Sequence, residues 1–356
     1  MRRRTFLQTL SAMPAFAAVD SELDFSKLIQ PVPLRAKFID ERYYIWCGAP
    51  VRSDDGGYHL YYSRWPREYG HYAWVTKSEI AHAVAEHPLG PYHHRDVVMP
   101  ARGATYWDGL CTHNPNIVRI GRQYCLFYMG NTGDGRIIPD LNYSHRNNQR
   151  IGVALADHPN GPWKRFDHPV LDANPEPGSF DSLMVSNPAA AAMPGGGVLL
   201  VYKGVINDGT PHGRRVRHGV ATATSPAGPY KRHPGYIFEA NDGSREWMVA
   251  EDPYLWHGGD RYWAITRDVV GKFGGSPGGL ALFESADGFD WKWAKHPKVL
   301  DNWFQWADGT RTNTRIERPA LLFDGGKPVA LFGAVDVSSK DKPRNHAFNI
   351  HIPLAV

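Results

Sequence analysis

Acidic residues recur at matching places along this chain. Asp108 and Asp181 lie in the similar segments WDGLCTHNP and FDSLMVSNP. Glu251 and Asp252 directly precede a proline, and Glu317 lies two residues before another. Two carboxylates in one site can divide proton donation and nucleophilic or basic assistance between them. The pattern predicts general acid and base catalysis, although Asp is also a common turn residue and a structural role for each acid stays open.

Polar and aromatic residues accompany the acids and are candidates for contacts with a ligand. A loop after the second predicted strand, SRWPREYGHYAWVTKSE, could form an aromatic wall or a packed surface loop, since Trp offers a flat apolar face with a polar edge. Hydroxyl groups, or a carboxylate in the case of Arg318, are the expected ligands. The candidate binding residues are Trp65, His71, Trp107, His113, Asn114, Asn187, Lys203 and Arg318.

The elements that must position these residues form a long repeat. Prolines at 50, 115, 188, 253 and 319 each open an apolar strand, a Gly-containing turn and a second apolar strand. A period of 65 to 73 residues built from strands and turns indicates a β-propeller. The predicted fold class is all-β, a five-bladed propeller with four antiparallel strands per blade. The predicted blades span roughly 42–104, 105–178, 179–241, 242–302 and 303–356.

A second signature is in phase with the first and argues against an ordinary β-sandwich. Turns at Gly90, Gly161, Gly228 and Gly288 follow a strand of small residues and precede an aromatic residue, as expected between a third and a fourth strand. The C-terminal segment HAFNIHIPLAV is predicted to be a strand that closes the ring, because an unpaired edge strand promotes aggregation.

Composition excludes several functional classes. The chain of 356 residues has a formal charge of +4 and no run of Lys or Arg of the kind that binds nucleic acid. Its 12 Trp and 17 Tyr suit both propeller packing and stacking on sugar rings. The three cysteines have no metal-binding spacing and cannot all pair.

The N-terminus is predicted to be a targeting segment. Residues 1–18 combine a basic start, a short apolar stretch and small residues, and RRTFL resembles a twin-arginine export motif. The apolar stretch is too short to span a bilayer, so we expect a cleaved signal and no membrane insertion. Residues 19–356 are predicted to form one propeller domain that is periplasmic or secreted.

The repeat and one local motif resemble the five-bladed glycosidases of glycoside hydrolase families 43, 62, 32, 68 and 117. The motif is EDPYL, which begins at Glu251 and is followed by a Gly turn and the segment RYW. The resemblance implies an oligosaccharide substrate, no organic cofactor and three acids around the axis, namely a base or nucleophile, a general acid and a tuning acid. A structural cation at the axis stays open as an alternative.

Transferred to this sequence, the resemblance implies Asp108 as base or nucleophile, Asp181 as tuning acid and Glu251 as general acid. Asp252 and Glu317 are alternatives, and His113 is a further candidate acid because family 117 has a His linked to that role. The chain departs from family 43 in blade one, where Ala49-Pro50 stands in place of Asp-Pro. This departure leaves the assignment of the base open.

Three functions follow from these expectations. The first is an exported exo-acting glycoside hydrolase. The second is a glycoside phosphorylase of the family 130 type, with Lys203, Arg214 or Arg267 as phosphate ligands. The third is a carbohydrate-binding propeller without catalysis.

Overall fold

A computed structural model describes residues 23–240, 247–337 and 346–355 of the chain. The segment predicted as an export signal lies outside these residues. Among the described residues, no helix is both long enough and apolar enough to cross a membrane.

The described residues form a ring of five antiparallel β-sheets, which confirms the five-bladed propeller. A short strand, β1 (Lys37–Phe38), precedes blade one. Blade one contains β2 (Tyr43–Arg52), β3 (Tyr58–Pro66), β4 (Glu79–Ala85) and β5 (His93–Met99). Blade two contains β6 (Cys111–Ile120), β7 (Gln123–Asn131) and β8 (Arg150–Ala156). Blade three contains β9 (Met184–Ala192), β10 (Val198–Val205), β11 (Val216–Ala223) and β12 (Lys231–Arg232).

Blades four and five complete the ring. Blade four contains β13 (Ala250–Gly258), β14 (Arg261–Asp268), β15 (Gly279–Ser285) and β16 (Lys292–Leu300). A hairpin of β17 (Trp303–Gln305) and β18 (Arg311–Asn313) precedes blade five, which contains β19 (Ile316–Asp324), β20 (Lys327–Asp336) and β21 (Ala347–Pro353). The helical segments are α1 (Phe25–Leu28), α2 (Trp74–Lys77), α3 (Tyr143–Arg146) and the 3₁₀ turns Arg67–Tyr69 and His71–Ala73.

Blade two has a less regular outer edge than the other blades. Its sheet has three strands, and isolated bridges to Lys164 and Leu171 take the place of a fourth. The predicted turn glycines all have positive φ, between 76° and 85°, where a side chain would be strained. Gly90, Gly161 and Gly228 each precede a proline in the cis form.

The ring is closed by the two terminal segments together. β21 pairs with β20 on one side and with β1 on the other, so that Lys37 lies opposite Ile350. The side chain of Phe25 is fully buried in the core shared by blades four and five. The predicted closure by the C-terminal strand is therefore confirmed, and the N-terminal lead-in supplies the outermost strand of the last blade.

The inner strand of blade one has a different register from the one predicted. Its bulge lies between Trp46 and Ala49, at the place where β6 has its bulge. Gly48 therefore occupies the position that Pro115 has in blade two, and the predicted alignment of Pro50 with the prolines of the other blades is wrong. A side chain at Gly48 would collide with Asn349 of β21, so close packing between the first and last blades selects glycine here.

Two buried histidines in blade one make the fold sensitive to acid. His59 Nδ1 lies 2.9 Å from His82 Nε2, and the ring of His82 stacks on Tyr61. Burial lowers the pKa of His59 to about 4, helped by the charge of His158, and burial lowers that of His82 to about 3, helped by His59. Both rings are therefore neutral in the folded protein at pH values where the unfolded chain is already protonated.

Stability should accordingly fall as the pH drops from about 6.5 towards 4, because the unfolded state binds more protons than the native state. Each such histidine contributes about 1.4 kcal/mol per pH unit to that slope. His82→Gln should lower the slope of the free energy of unfolding against pH, because the unfolded and native states then differ by about one bound proton fewer. Urea denaturation at several pH values measures this slope. The exposed His168, changed to Gln, is the control, and equal slopes for wild type and His82→Gln would contradict the prediction.

Candidate active site

Each inner strand places one strained residue at the propeller axis. These residues are neither glycine nor extended, and their φ values lie between 49° and 59°. The bulges re-aim these side chains, and strained backbone of this kind clusters at functional sites. We call these residues the axial ring: Cys47, Asn114, Asn187, Asp252 and Arg318.

Side-chain hydrogen bonds connect the axial ring in one direction. The Cys47 thiol donates to Asn114 Oδ1 at 3.2 Å, and Asn114 Nδ2 donates to Asn187 Oδ1 at 2.7 Å. Asn187 Nδ2 donates to Asp252 Oδ1 at 2.6 Å, and Arg318 donates to the same carboxylate from its backbone and its guanidinium. Asp252, 3% exposed, is therefore an acceptor fixed by donors from two neighbouring blades.

A pocket of about 140 Å³ opens above the axial ring. Acids from blades four and five form one side, and aromatic residues from blade one form the other. Its lining residues are Trp46, Trp65, His71, Trp74, His113, Asn114, Asn187, Lys203, Glu251, Asp252, Glu317 and Arg318. Seven of the eight predicted binding residues and three of the five predicted acids therefore meet here. Trp46 is not among the predicted binding residues, because Pro50, and not the bulge, marks the inner strand of blade one in the sequence repeat.

Glu251 is the ionised carboxylate of this pocket. Lys203 Nζ lies 2.8 Å from its Oε1, and Arg267 Nη2 contacts its Oε2. Burial alone would raise the pKa of Glu251, but the charges and hydrogen bonds of Lys203 and Arg267 outweigh burial and hold the pKa below its usual range. This carboxylate is therefore negative at any physiological pH.

Glu317 is the second carboxylate and has the opposite tendency. Its side chain is 16% exposed, and its Oε1 lies 2.6 Å from Arg315 Nε and 3.4 Å from Arg267 Nη1. Burial raises the pKa of Glu317, the negative charges of Asp252 and Glu251 raise it further, and the two arginines only partly oppose this. Glu317 therefore keeps its proton to a higher pH than an ordinary glutamate.

The expectation that Asp108 and Asp181 reach the axis is wrong. Both are fully buried away from the pocket. Asp108 accepts hydrogen bonds of 2.7 Å from Arg102, Arg165 and Tyr128. Asp181 has an equivalent set of donors in blade three, namely Tyr202, Arg232 and Ser179. The matching sequence contexts reflect an ion-pair cluster that recurs in blades two and three.

Two further predicted residues have different surroundings from those expected. Trp107 lies outside the pocket, where its ring stacks on Tyr128 and its Nε1 donates to the carbonyl of Phe166. Arg214 is 77% exposed and pairs with Asp208 away from the pocket. Neither residue is in a position to contact a ligand bound at the axis.

His113 lines the pocket as a neutral imidazole. Its Nδ1 lies 2.7 Å from Ser78 Oγ, and the residue is 3% exposed. Burial, reinforced by the charge of Arg318, lowers the pKa of His113 well below its usual value. A neutral ring suits hydrogen bonding to a ligand better than proton donation at neutral pH.

Among the described residues, no group of three or more His, Cys, Asp or Glu side chains has the geometry to hold a metal ion. All three cysteines are buried free thiols, and burial raises the pKa of Cys47 to about 11. Nothing in this set of residues provides an activated thiolate.

Fold and site together define a five-bladed propeller with an acid-lined and aromatic axial pocket. Solved structures of glycoside hydrolases have the same fold. A family 117 glycoside hydrolase produced by the marine bacterium Zobellia galactanivorans aligns with a TM-score of 0.60 at 16% identity, over 93% of this chain and 90% of that one. A thermostable family-43 glycoside hydrolase aligns with a TM-score of 0.61 at 11% identity, over 92% of each chain.

A third similar structure is fructan 1-exohydrolase IIa from Cichorium intybus, with a TM-score of 0.57 at 13% identity over 90% of this chain and 57% of that one. No protein-family profile and no curated protein sequence matches the chain. The predicted resemblance to glycosidase propellers is thus confirmed at the level of the fold, at an identity typical of a divergent sequence.

Proposed function

We propose that the protein is an exported, exo-acting glycoside hydrolase that cleaves oligosaccharides by carboxylate acid–base catalysis. One observation carries the proposal. Glu251 and Glu317 open into one pocket and contact the same guanidinium, that of Arg267, yet their surroundings shift their pKa values in opposite directions. Two carboxyl groups held in different protonation states are what glycosidic bond cleavage requires.

In this proposal Glu317 is the general acid and Glu251 the ionised partner. Arg315 and Arg267 hold Oε1 of Glu317, so its Oε2 carries the proton to the glycosidic oxygen as the bond to the anomeric carbon breaks. Glu251 either deprotonates the attacking water or attacks the anomeric carbon itself. These roles replace the sequence-based assignment, in which Glu251 was the acid and Asp108 the base.

Asp252 acts in this proposal as a positioning residue. Its carboxylate accepts hydrogen bonds from the side chains of Asn187 and Arg318. It contributes negative charge that raises the pKa of Glu317. A fixed third acid that tunes the proton donor corresponds to the role expected from the glycosidase resemblance.

The pocket also supports binding of a single terminal sugar unit. Its volume of about 140 Å³ is small, and the axial ring closes its floor. Trp46, Trp65 and Trp74 supply aromatic faces for the apolar side of a sugar ring, while His113 and Asn114 offer hydrogen-bonding groups for hydroxyls. A pocket this small suits exo-action, because an internal sugar unit needs an open groove.

Export is supported by the sequence of residues 1–18 alone. The measurement for it is the N-terminal sequence of the protein recovered from periplasm and culture medium after expression in a bacterium with a twin-arginine pathway. A mature protein beginning near residue 18 or 19 supports export, and full-length protein retained in the cytoplasm contradicts it.

The pH dependence of catalysis provides a test of the assigned roles. The acid limb of kcat/KM should report Glu251 and the alkaline limb Glu317, since the active form has the first ionised and the second protonated. Arg315→Gln removes a positive charge beside Glu317, so the alkaline limb should move to higher pH while the acid limb stays in place. Arg311→Gln, on the neighbouring β18, is the matched control, and a shift of the acid limb alone would contradict the assignment.

The proposed function itself is tested with the mature protein and a panel of nitrophenyl glycosides and plant or algal oligosaccharides, with and without phosphate. Release of a free terminal sugar without phosphate supports an exo-hydrolase. A sugar phosphate formed only with phosphate would replace the proposal with a phosphorylase. Sugar binding in calorimetry without any product would replace it with a binding propeller.

A further inference from the structure

One arginine beside the axial pocket has no acidic side chain in contact with it. Arg146 is the last residue of α3, and its side chain is half-buried. Its Nη1 donates to Asn147 Oδ1 at 3.0 Å and to the carbonyl of His212 at 2.9 Å, and both acceptors are neutral. Among the residues that the structure describes, no carboxylate forms an ion pair with Arg146.

Several arginines nearby are neutralised by acids, in contrast to Arg146. The ion pairs are Arg150–Asp172, Arg214–Asp208 and Arg217–Glu239. Burial lowers the pKa of Arg146, and Tyr143 and the charge of Glu251 oppose this effect only in part. A partly buried guanidinium without a contacting counter-charge is costly, and a bound anion removes that cost.

The residue before Arg146 connects α3 to the aromatic wall of the pocket. His145 Nδ1 lies 2.8 Å from Asn131 Oδ1, and Asn131 Nδ2 donates to the carbonyl of Val75 at 3.1 Å. Val75 follows Trp74, which lines the pocket. These hydrogen bonds fix α3 against α2 on the side of blade one.

The segment after α3 contacts blade three. The backbone N–H of Val185 donates to the carbonyl of Gln149 at 3.4 Å, and Val185 lies two residues before Asn187 of the pocket wall. The negative charge of Glu251 raises the pKa of Arg146 against the effect of burial, so the two side chains are close enough to interact. Arg146 therefore lies at the mouth of the pocket, between blades two and three.

The guanidinium of Arg146 has one edge left for a ligand. Its Nη1 is occupied by two acceptors, whereas Nε and Nη2 donate to no residue that the structure describes. Nε and Nη2 form the pair of parallel donors that binds both oxygens of a carboxylate. Asn147 Nδ2 also donates to the carbonyl of Pro211 at 2.9 Å, so the loops that hold the guanidinium are fixed before a ligand binds.

The charges at the axial pocket accommodate an anionic ligand. In the proposed active form Glu317 is protonated, so three cations at or directly behind the pocket wall face two carboxylates. The cations are Lys203, Arg267 and Arg318, and the carboxylates are Glu251 and Asp252. Both carboxylates contact cations of their own, which limits their repulsion of a negative ligand.

We propose that the terminal sugar unit of the substrate is a uronic acid and that Arg146 recognises its carboxylate. The proposal rests on the proposed hydrolase function and narrows its substrate class to oligosaccharides that end in a uronate. The sugar ring occupies the axial pocket, and its exocyclic carboxylate points to the wall between blades two and three. Arg146 is then a specificity-determining residue and takes no part in the bond cleavage.

The test compares sugars that differ only in the carboxylate. Nitrophenyl glucuronides and galacturonides are assayed beside the corresponding glucosides and galactosides, so the terminal unit carries the only carboxylate. Arg146→Gln removes the charge, and Arg146→Lys keeps the charge but not the paired donors. Arg214→Gln is the matched control, because Arg214 lies in the adjacent loop, is 77% exposed and already pairs with Asp208.

Wild type should prefer the uronide of a matched pair. Arg146→Gln should lower kcat/KM on the uronide at least about tenfold, chiefly through KM, and change the neutral glycoside less than about twofold. Arg146→Lys should retain part of the preference, and Arg214→Gln should keep all of it. Equal losses on both sugars in Arg146→Gln would show that Arg146 only anchors the loops. That result, or hydrolysis of neutral glycosides alone, would overturn the proposal and leave the hydrolase function standing.

A binding measurement separates the two proposals if no glycoside is turned over. Calorimetry compares glucuronic and galacturonic acid with glucose and galactose in wild type and Arg146→Gln. Tighter binding of a uronic acid in wild type, lost in Arg146→Gln, supports the carboxylate site even without hydrolysis. Binding of neither uronic acid, or equal affinities for a uronic acid and its neutral counterpart, would overturn it.

Discussion

Glu317→Gln should lower kcat on an unactivated oligosaccharide about a thousandfold, within the range for loss of a general acid. The amide keeps the size of the side chain but has no proton to give. On a glycosyl fluoride, which leaves without protonation, the same variant should lose far less. Glu251→Gln should lose activity on both substrates, because the ionised carboxylate is needed whatever the leaving group. Steady-state kinetics with the two substrates measures the difference.

Glu284→Gln is a suitable control for these variants. Glu284 is 8% exposed and ion-paired with Arg261 and Lys292 on blade four, outside the pocket. It should keep full activity, and all three variants should keep the fold by circular dichroism. If Glu317→Gln lost equal activity on both substrates, Glu317 would not be the proton donor.

Asp108→Asn should destabilise the protein by about 3–5 kcal/mol and leave the kcat of the folded enzyme unchanged. The carboxylate is 0% exposed and accepts hydrogen bonds from Arg102, Arg165 and Tyr128. Neutralising it leaves the largely buried Arg165 without its counter-charge and removes the buried partner of Arg102, which is costly. Urea denaturation gives the change in the free energy of unfolding. The rate at saturating substrate, divided by the concentration of folded enzyme, gives kcat.

Asp167→Asn is the matched control, because Asp167 also pairs with Arg102 but its side chain is 71% exposed. An exposed pair of this kind should contribute less than about 1 kcal/mol. Asp181→Asn should destabilise the protein less than Asp108→Asn does, since its cluster in blade three has one arginine where that of Asp108 has two. A large loss of kcat with normal stability in Asp108→Asn would return that residue to the catalytic role first predicted for it.

The fold was predictable because its signals are local. The prolines at the inner strands and the Gly turns each recur in four of the five blades, and each marks a backbone conformation that few other residues adopt. The register predicted for the inner strand of blade one was wrong because its sequence signal is displaced. Gly48, selected by contact with Asn349, stands where other blades have proline, and that contact joins residues from opposite ends of the sequence.

The site was only half predictable, since the two acids with matching sequence contexts are structural and lie outside the pocket. Asp108 and Asp181 were favoured because their contexts match, yet two of the arginines that neutralise them, Arg165 and Arg232, lie 57 and 51 residues further on. No local pattern reveals such a partner. The two residues before each inner-strand proline, such as Glu251 and Asp252, were better guides, because the bulge in the inner strand aims them at the axis.

The closure by β1 and β21 has a consequence for the order of assembly. Asn349 donates to the carbonyl of Cys47, 302 residues earlier, at the seam between the first blade and the last. During synthesis the first four blades can pair their strands as they emerge, but the seam must wait until β21 has left the ribosome. Contacts between residues this far apart slow folding. Until then β1 has no partner strand and the side of blade one that packs against blade five stays exposed, which favours aggregation of the unfinished chain.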